Sequence, residues 1–371
     1  MQVKIHPVES KKDIKTFVKL PWKIYKQDDQ WVPPLIADRM TFLNAKKNPY
    51  FRHSKVQLFL ALMDGEPVGR ISAQENRNHN EKYNDTMGFW GFFECINDQQ
   101  VADALFDAAM EWLKRQKLTS ARGPANFSIN EEFGLLVNGF DTPPSIMMTH
   151  NPPYYQALLE NYGFTKAHDL FAYELYDEAG IPDVVIQKAE QALERGEYTF
   201  RNLELKNLEQ EIRNLHHVLT EAWQENWSSV PMTESELLHL AKEMKPVIDD
   251  DLFLIAEKDG QAVGFSVFIP DMNEAIRRAN GRLFPFGLIK ILWYKNKIRS
   301  GRVPLLGVLK DHRHKGIDSV FYFETYKRGK AKGYRRAEAS WILEDNVAMN
   351  KALQKIGARI YKTYRMYDYK F

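Results

Sequence analysis

Two groups of residues in this 371-residue chain are typed and spaced so that they could do chemistry. The first is Arg313-His314-Lys315-Gly316-Ile317-Asp318. It follows an apolar run, Pro304-Leu305-Leu306-Gly307-Val308-Leu309, and leads into Ile317, Val320, Phe321, Glu324, Thr325 and Arg328 at helical spacing. Strand, glycine turn and helix make a geometry that binds phosphate. The turn's free N–H groups and the positive end of the helix dipole converge, and Arg313 and Lys315 add charge. No Gly-Lys-Ser/Thr follows, and only one of the three glycines of a dinucleotide fingerprint is present, which excludes a Walker loop and a Rossmann turn. The second group is a pair of carboxylates, Glu338 and Glu344. They lie six apart, so in an uninterrupted strand they face one side, with Ser340 and Ile342 between. Such a carboxylate can take a proton from an amine, or it can simply be solvated or paired with Arg335 or Arg336.

Downstream, Arg336-Ala337-Glu338-Ala339-Ser340-Trp341-Ile342-Leu343 reads as a strand and is followed by Glu344-Asp345-Asn346 and a helix ending at Gly357, eleven positions after the asparagine. With Arg313-x-x-Gly316-x-Asp318, this resembles the two cofactor motifs of the GNAT acyl-CoA N-acyltransferases. The wording WVPPL, NPPYY, VPMT and ASWILEDN resembles a poorly characterised bacterial family of tandem GNAT proteins, over nearly the whole chain. The resemblance implies an acyl-CoA co-substrate, acetyl-CoA or longer, and no metal. It implies that Arg313, His314, Lys315, Gly316, Ile317, Asp318 and Ser319 hold the pyrophosphate, with Val308 and Leu309 before them and Asn346 on the other side. It also implies a reaction, acyl transfer to an amine. An alkylamine with pKa near 10.4 is neutral about once in 2,500 molecules at pH 7, a handicap of roughly 4–5 kcal/mol that a base such as Glu338 or Glu344 would help to remove. Many members carry a Tyr seven positions after the helix-opening Asn as acid to the thiolate, and here that place holds Leu353. Tyr361, Tyr364, Tyr367 and Tyr369 in the last strand region could substitute, with Tyr364 the candidate acid.

These residues need elements to position them, and an internal repeat says which. Residues 58–69 match 253–264 at an offset of 195, each an apolar hairpin turning at Asp-Gly, a pair that supplies the positive φ a tight turn needs. Residues from Gly91 align with those from Gly307 at an offset of 216, and residues 154–164 fall beside the 346–358 region near 194. Three blocks in one order predict two copies of a βαβ-containing module. The expected fold class is α/β with mixed sheets, two GNAT-like modules in tandem, over residues 1–177 and 178–371. A connecting helix should start at Ile181-Pro182 and stop near Gly196. The copies differ: Asn97, Gln99 and Gln100 stand where copy two has Arg313, Lys315 and Gly316. The first copy therefore reads as the degenerate one, on the acceptor side. Residues 122–151, read as a long polar loop, offer Asn126, Asn130, Glu131 and His150 as substrate contacts.

Composition bounds the rest. A net charge of +2 gives no general argument for nucleic acid, and a single cysteine, Cys95, excludes an intrachain disulfide. With no signal-peptide core and no apolar run near 20 residues, a cytoplasmic protein is expected. Residues 275–310 contain no acid but nine Lys and Arg, and within them residues 283–294 are apolar with Trp293 and Tyr294 at one end. That segment suits peripheral contact at the inner membrane surface, a groove for a long acyl chain, or packing against the other copy or a homodimer mate. The function expected is a GNAT-type N-acyltransferase with a small-molecule or lipid amine, such as a sphingoid base, as acceptor. The alternatives are a non-catalytic sensor of acyl-CoA or lipid and an aminoacyl-tRNA-dependent transferase.

Overall fold

Alternation of apolar residues builds the strands, and Asp-Gly pairs turn them. In the computed structural model, which describes residues 2–371, the chain forms β1 (Val3–Pro7), β2 (Ser54–Met63), β3 (Glu66–Asn76), β4 (Met87–Cys95), β5 (Ser120–Gly123), β6 (Ala125–Asn126), β7 (Glu132–Phe133) and β8 (Leu135–Asn138). After β9 (Thr165–Tyr176) come β10 (Thr199–Asn202), β11 (Phe253–Lys258), β12 (Gln261–Pro270), β13 (Ser300–Val308), β14 (Arg336–Leu343) and β15 (Arg359–Lys370). Both repeated hairpins are present, β2/β3 and β11/β12, with φ of 50° and 83° at Asp64-Gly65 and 52° and 77° at Asp259-Gly260. The connecting helix is Asp183–Arg195, ended by Gly196 at φ 63°.

The residues gather into two units. One holds the chain up to Leu170 together with Ala275–Trp293 and Lys362–Phe371; the other holds Phe171–Glu274 and Tyr294–Tyr361. In the first, strands run β1-β2-β3-β4-β5, and the far side of β5 pairs with β15, Tyr367–Lys370 against Ser120–Gly123. The last strand of this unit is thus made by the final residues of the chain. In the second, the order is β9-β14-β13-β12-β11-β10. β4 pairs in parallel with β5 in the first sheet and β13 with β14 in the second, and a helix crosses between the members of each pair, Gln99–Arg115 and Ile317–Ala331. The first of these helices buries Val101, Leu105, Ala109 and Leu113, one face at i, i+4 spacing, against strands whose Gly69 and Gly88 leave room for the leucines. Residues 124–138, expected as loop, instead form the hairpin β6/β7 and the strand β8, which pairs with β15.

Candidate active site

A fork in the second sheet makes the site. β13 and β14 pair in parallel only over Ser300–Val303 and Arg336–Ala339. At the next position β13 has Pro304, which has no N–H to donate, and from there the strands run on to Val308 and Leu343 with a cleft of about 600 Å³ that both line. One wall is a face of the helix Ile317–Ala331, with Asp318, Phe321, Tyr322 and Thr325 at i, i+3, i+4 and i+7. Val347–Lys355 forms another, and Trp223 lies against Gly307, where a Cβ would meet its ring at 2.4 Å.

The mouth of the cleft carries the basic turn. Gly316 is the N-cap of Ile317–Ala331 with φ 91° and no side-chain cap, so the first N–H groups of the helix have no capping side chain. A Cβ on Gly316 would sit 2.8 Å from that of Ala192 on the connecting helix, so both conformation and packing require glycine. Arg313 is exposed and tethered by its Nε to the Val308 carbonyl at 3.1 Å. Val308, Arg313, His314, Ile317, Asp318 and Asn346 line the cleft, whereas Leu309, Lys315, Gly316 and Ser319 shape the turn without lining it. Asn346 caps its helix through the N–H of Met349 at 3.1 Å. His312, which no motif in the sequence marks, also lines the cleft and accepts or donates at 3.0 Å with the Tyr198 hydroxyl; burial and then Lys315 lower its pKa.

At the root of the fork lies Glu338, fully buried and part of the lining. Its register partner across the parallel pair is Arg302, 1% exposed, whose Nε is 3.6 Å from the carboxylate. Arg302 also donates to Ser340 Oγ at 2.9 Å, and Ser340 donates to Glu338 at 2.5 Å. Tyr361 gives the other carboxylate oxygen a short hydrogen bond. The Trp341 ring covers the Arg302 guanidinium at 4.7 Å. Glu344 is not on this face, because β14 ends at Leu343 and Glu344 falls in the following turn, outside the lining. Tyr364 is also elsewhere. It belongs to the first unit, where it is buried opposite Leu136 of β8. Strand alternation separates the two tyrosines: three positions apart, they leave β15 on opposite faces.

Leu353 lines the cleft where the expected acid would stand, and Tyr173 packs in the same apolar cluster. The Tyr173 hydroxyl donates to Asn350 Oδ1 at 2.8 Å, one turn before Leu353, and burial raises its pKa. Thr325 Oγ1 is buried in the same wall with no hydrogen-bond partner among the described residues. Neither was visible in the sequence, since Tyr173 comes from β9 and Thr325 read only as part of a helical stripe.

The corresponding fork of the first unit is filled. β4 and β5 pair over Met87–Phe89 and Ser120–Arg122, and beyond this β6 crosses at Gly91, where a Cβ would be 2.0 Å from the Ala125 carbonyl oxygen. Asn126 accepts from the Phe92 N–H at 2.6 Å and donates to Glu132 at 2.9 Å, and Phe127, fully buried, closes an aromatic cluster with Phe42, Tyr50 and Phe92. Glu132 in turn binds Arg39 with both oxygens. The crossover helix here is capped by its own Asp98, which accepts from the Gln100 N–H at 2.9 Å. Of the other expected substrate contacts, Asn130 and Glu131 turn back on Ser128 through their N–H groups. The His150 side chain is 3% exposed and bonded to Asp28 at 2.7 Å; burial lowers its pKa and Asp28 partly offsets that.

No family model matches the chain. Two curated proteins align over almost all of it. One, named bacterial ceramide synthase, from Caulobacter vibrioides, is 41% identical over 98% of this chain and 96% of its own. The other, Protein YghO of Escherichia coli, is 38% identical over 97% of this chain and 93% of its own. Among solved structures, a tandem GNAT protein from the clavulanic acid biosynthesis pathway superposes with a TM-score of 0.61, covering 100% of this chain and 98% of that one at 11% identity. At that identity the likeness shows the fold, a tandem GNAT fold.

Proposed function

The chain belongs to the family of the Caulobacter vibrioides bacterial ceramide synthase and Escherichia coli YghO, and we propose that it transfers a fatty acyl group from acyl-CoA to the amine of a long-chain amino alcohol. The observation that carries the reading is the fork of the second sheet, where a buried carboxylate and an uncapped, basic helix start face one apolar cleft. In this reading Arg313 and the first N–H groups of Ile317–Ala331 take the pyrophosphate, and the thioester lies along the open edges of β13 and β14. Glu338 receives the proton of the incoming ammonium, directly or through water. The freed amine attacks the thioester carbonyl; a C–N bond forms, the C–S bond breaks, and the leaving thiolate takes up a proton. Arg302, Ser340 and Tyr361 fix the carboxylate for that task. Trp223, Leu306, Phe321, Met349 and Leu353 give the cleft an apolar lining suited to an alkyl chain on the donor, the acceptor or both.

The test is thiol release by the full chain with palmitoyl-CoA or acetyl-CoA, each with sphinganine in detergent or with a short soluble amine. Release that needs both the long-chain donor and sphinganine is the expected result. Leu353, in place of the usual acid, favours a second reading, a sensor that binds acyl-CoA without turnover. Calorimetric binding of palmitoyl-CoA without release on any amine would select it, and absence of binding would remove both.

A further inference from the structure

Between β12 and β13 the chain turns apolar side chains outward. Among the described residues, six of the twelve large hydrophobic side chains that are exposed lie within residues 284–293: Phe284, Phe286, Leu288, Ile289, Leu292 and Trp293. They are not a frayed loop. Asn280 accepts from the Trp22 indole at 2.9 Å, the Ile36 N–H donates to the Gly281 carbonyl at 3.0 Å, and a Cβ on Gly281 would lie 2.2 Å from the Trp22 ring. From that anchor the segment forms the helix Gly287–Lys295, of which Gly287 and Ile291 are buried.

The helix is amphipathic with its apolar arc facing out. At about 100° per residue, with Ile289 at zero, Trp293 and Leu292 fall about 40° and 60° to either side and Leu288 about 100° away, while Gly287 and Ile291 lie nearly opposite. Lys290 and Lys295 flank this arc, about 100° to one side and about 120° to the other. The Lys295 ammonium sits on the Pro246 carbonyl at 2.7 Å, and Lys290 at the other edge can extend to phosphates while the arc sinks into acyl chains. Phe284 is 79% exposed and Phe286 67%, just ahead of the first turn. The surroundings repeat the sign: residues 275–297 contain no acid, and Arg277, Arg278, Arg282 and Lys297 are exposed. Nine residues of helix span about 14 Å, half of a hydrocarbon core, and no helix of the described residues is long and apolar enough to cross a membrane.

We propose that this face docks on an anionic bilayer surface, with the helix Gly287–Lys295 lying in the interface plane. A second copy meeting the same face would set lysine against lysine with no acid within the segment to answer it, which argues for lipid as the occupant. The proposal stands apart from acyl transfer, because its readout is vesicle binding in the absence of any substrate.

The experiment is co-sedimentation of the full chain with phosphatidylcholine vesicles and with vesicles containing phosphatidylglycerol. Binding should need the anionic lipid and weaken as salt rises from 50 to 500 mM, figures of roughly the range over which screening acts. Ile289→Asp with Leu292→Asp should abolish it, and Lys290→Glu with Lys295→Glu should weaken it by more than about tenfold, each lysine near such a surface being worth about a factor of five. Both pairs are exposed, and Lys295 gives up only a surface hydrogen bond to the Pro246 carbonyl, so the thermal unfolding midpoint should shift little. Equal partition of wild type and both variants would overturn the proposal. So would a change of wild-type sedimentation from dimer to monomer in the Ile289/Leu292 variant without loss of lipid binding, which would assign the face to a second copy.

Discussion

In the proposed reaction Glu338 is the base, and its surroundings predict how substitutions divide. Gln keeps the shape, but its amide has one accepting oxygen, so it can accept from Ser340 or from Tyr361 and not from both, and it takes no proton. Glu338→Gln should therefore lower kcat for thiol release about 10²–10⁴-fold with little change in KM for acyl-CoA. Both Glu338→Gln and Glu338→Ala leave the buried Arg302 without its charge partner, a loss on the order of 3–5 kcal/mol, and Ala adds a cavity, so the thermal unfolding midpoint should fall for both and further for Ala while activity does not separate them. The sequence could nominate Glu338 because its strand was legible, and it could not separate it from Glu344, because that needed the strand to end at Leu343. A second residue makes stability depend on pH. His79, packed on Phe89 at 4.8 Å between centroids, is held by burial at a pKa of about 4 in spite of Asp85. The folded state keeps the ring neutral, so its contribution is complete above the unfolded value of 6.5 and is lost as pH falls towards 4. Up to about 3 kcal/mol is at stake. Urea midpoints of wild type and His79→Gln should converge over that interval, and parallel curves would remove His79 as the source.

At the scale of elements, the two crossover helices show why one fork is open and its counterpart filled. The helix Gln99–Arg115 satisfies its own N-terminus with Asp98, while Ile317–Ala331 starts at a glycine and leaves the N–H groups to whatever anion comes. Arg313→Ala should weaken calorimetric binding of free CoA by about tenfold or more and leave the melting temperature in place, since the side chain is exposed and makes one tether. Gly316 cannot be used in the same way, because any side chain there meets Ala192 and disturbs the fold before the site. The filled fork makes the opposite prediction. With Asn126 bonded to Phe92 and Glu132, Asn126→Ala should cost about 1–3 kcal/mol in denaturant unfolding and leave the KM for amine unchanged. A raised KM with unaltered stability would return Asn126 to the acceptor site. Asp-Gly turns, the connecting helix and the βαβ order were legible because each has a local physical signature. The plug was not: β6 and β7 are two residues each, too short for alternation to declare them.

For the whole molecule, the repeat suggests that either copy could stand alone, and the strand assignments say otherwise. The last strand of the first unit is made by residues 362–370, and Tyr364, Met366 and Tyr367 on it are fully buried. Burying three such side chains is worth about 1.5–3 kcal/mol each, so with the lost ladder to β5 and β8 their absence removes most of an ordinary domain's stability of about 5–15 kcal/mol. No pattern in the sequence could announce this, because β15 follows β14 in the order that a second copy expects and only its pairing partner is different. Cutting the chain between residues 177 and 178 tests it. The fragment 1–177 lacks its final strand and should aggregate or remain without a cooperative melt, whereas co-expression with 178–371 should return both fragments as one soluble complex. A fragment ending at residue 361 should fail to rescue it, since the missing ten residues are those the first unit uses. If 1–177 alone is monomeric and melts cooperatively, the strand β15 is an ornament on a sheet already closed, and the two copies are separable after all.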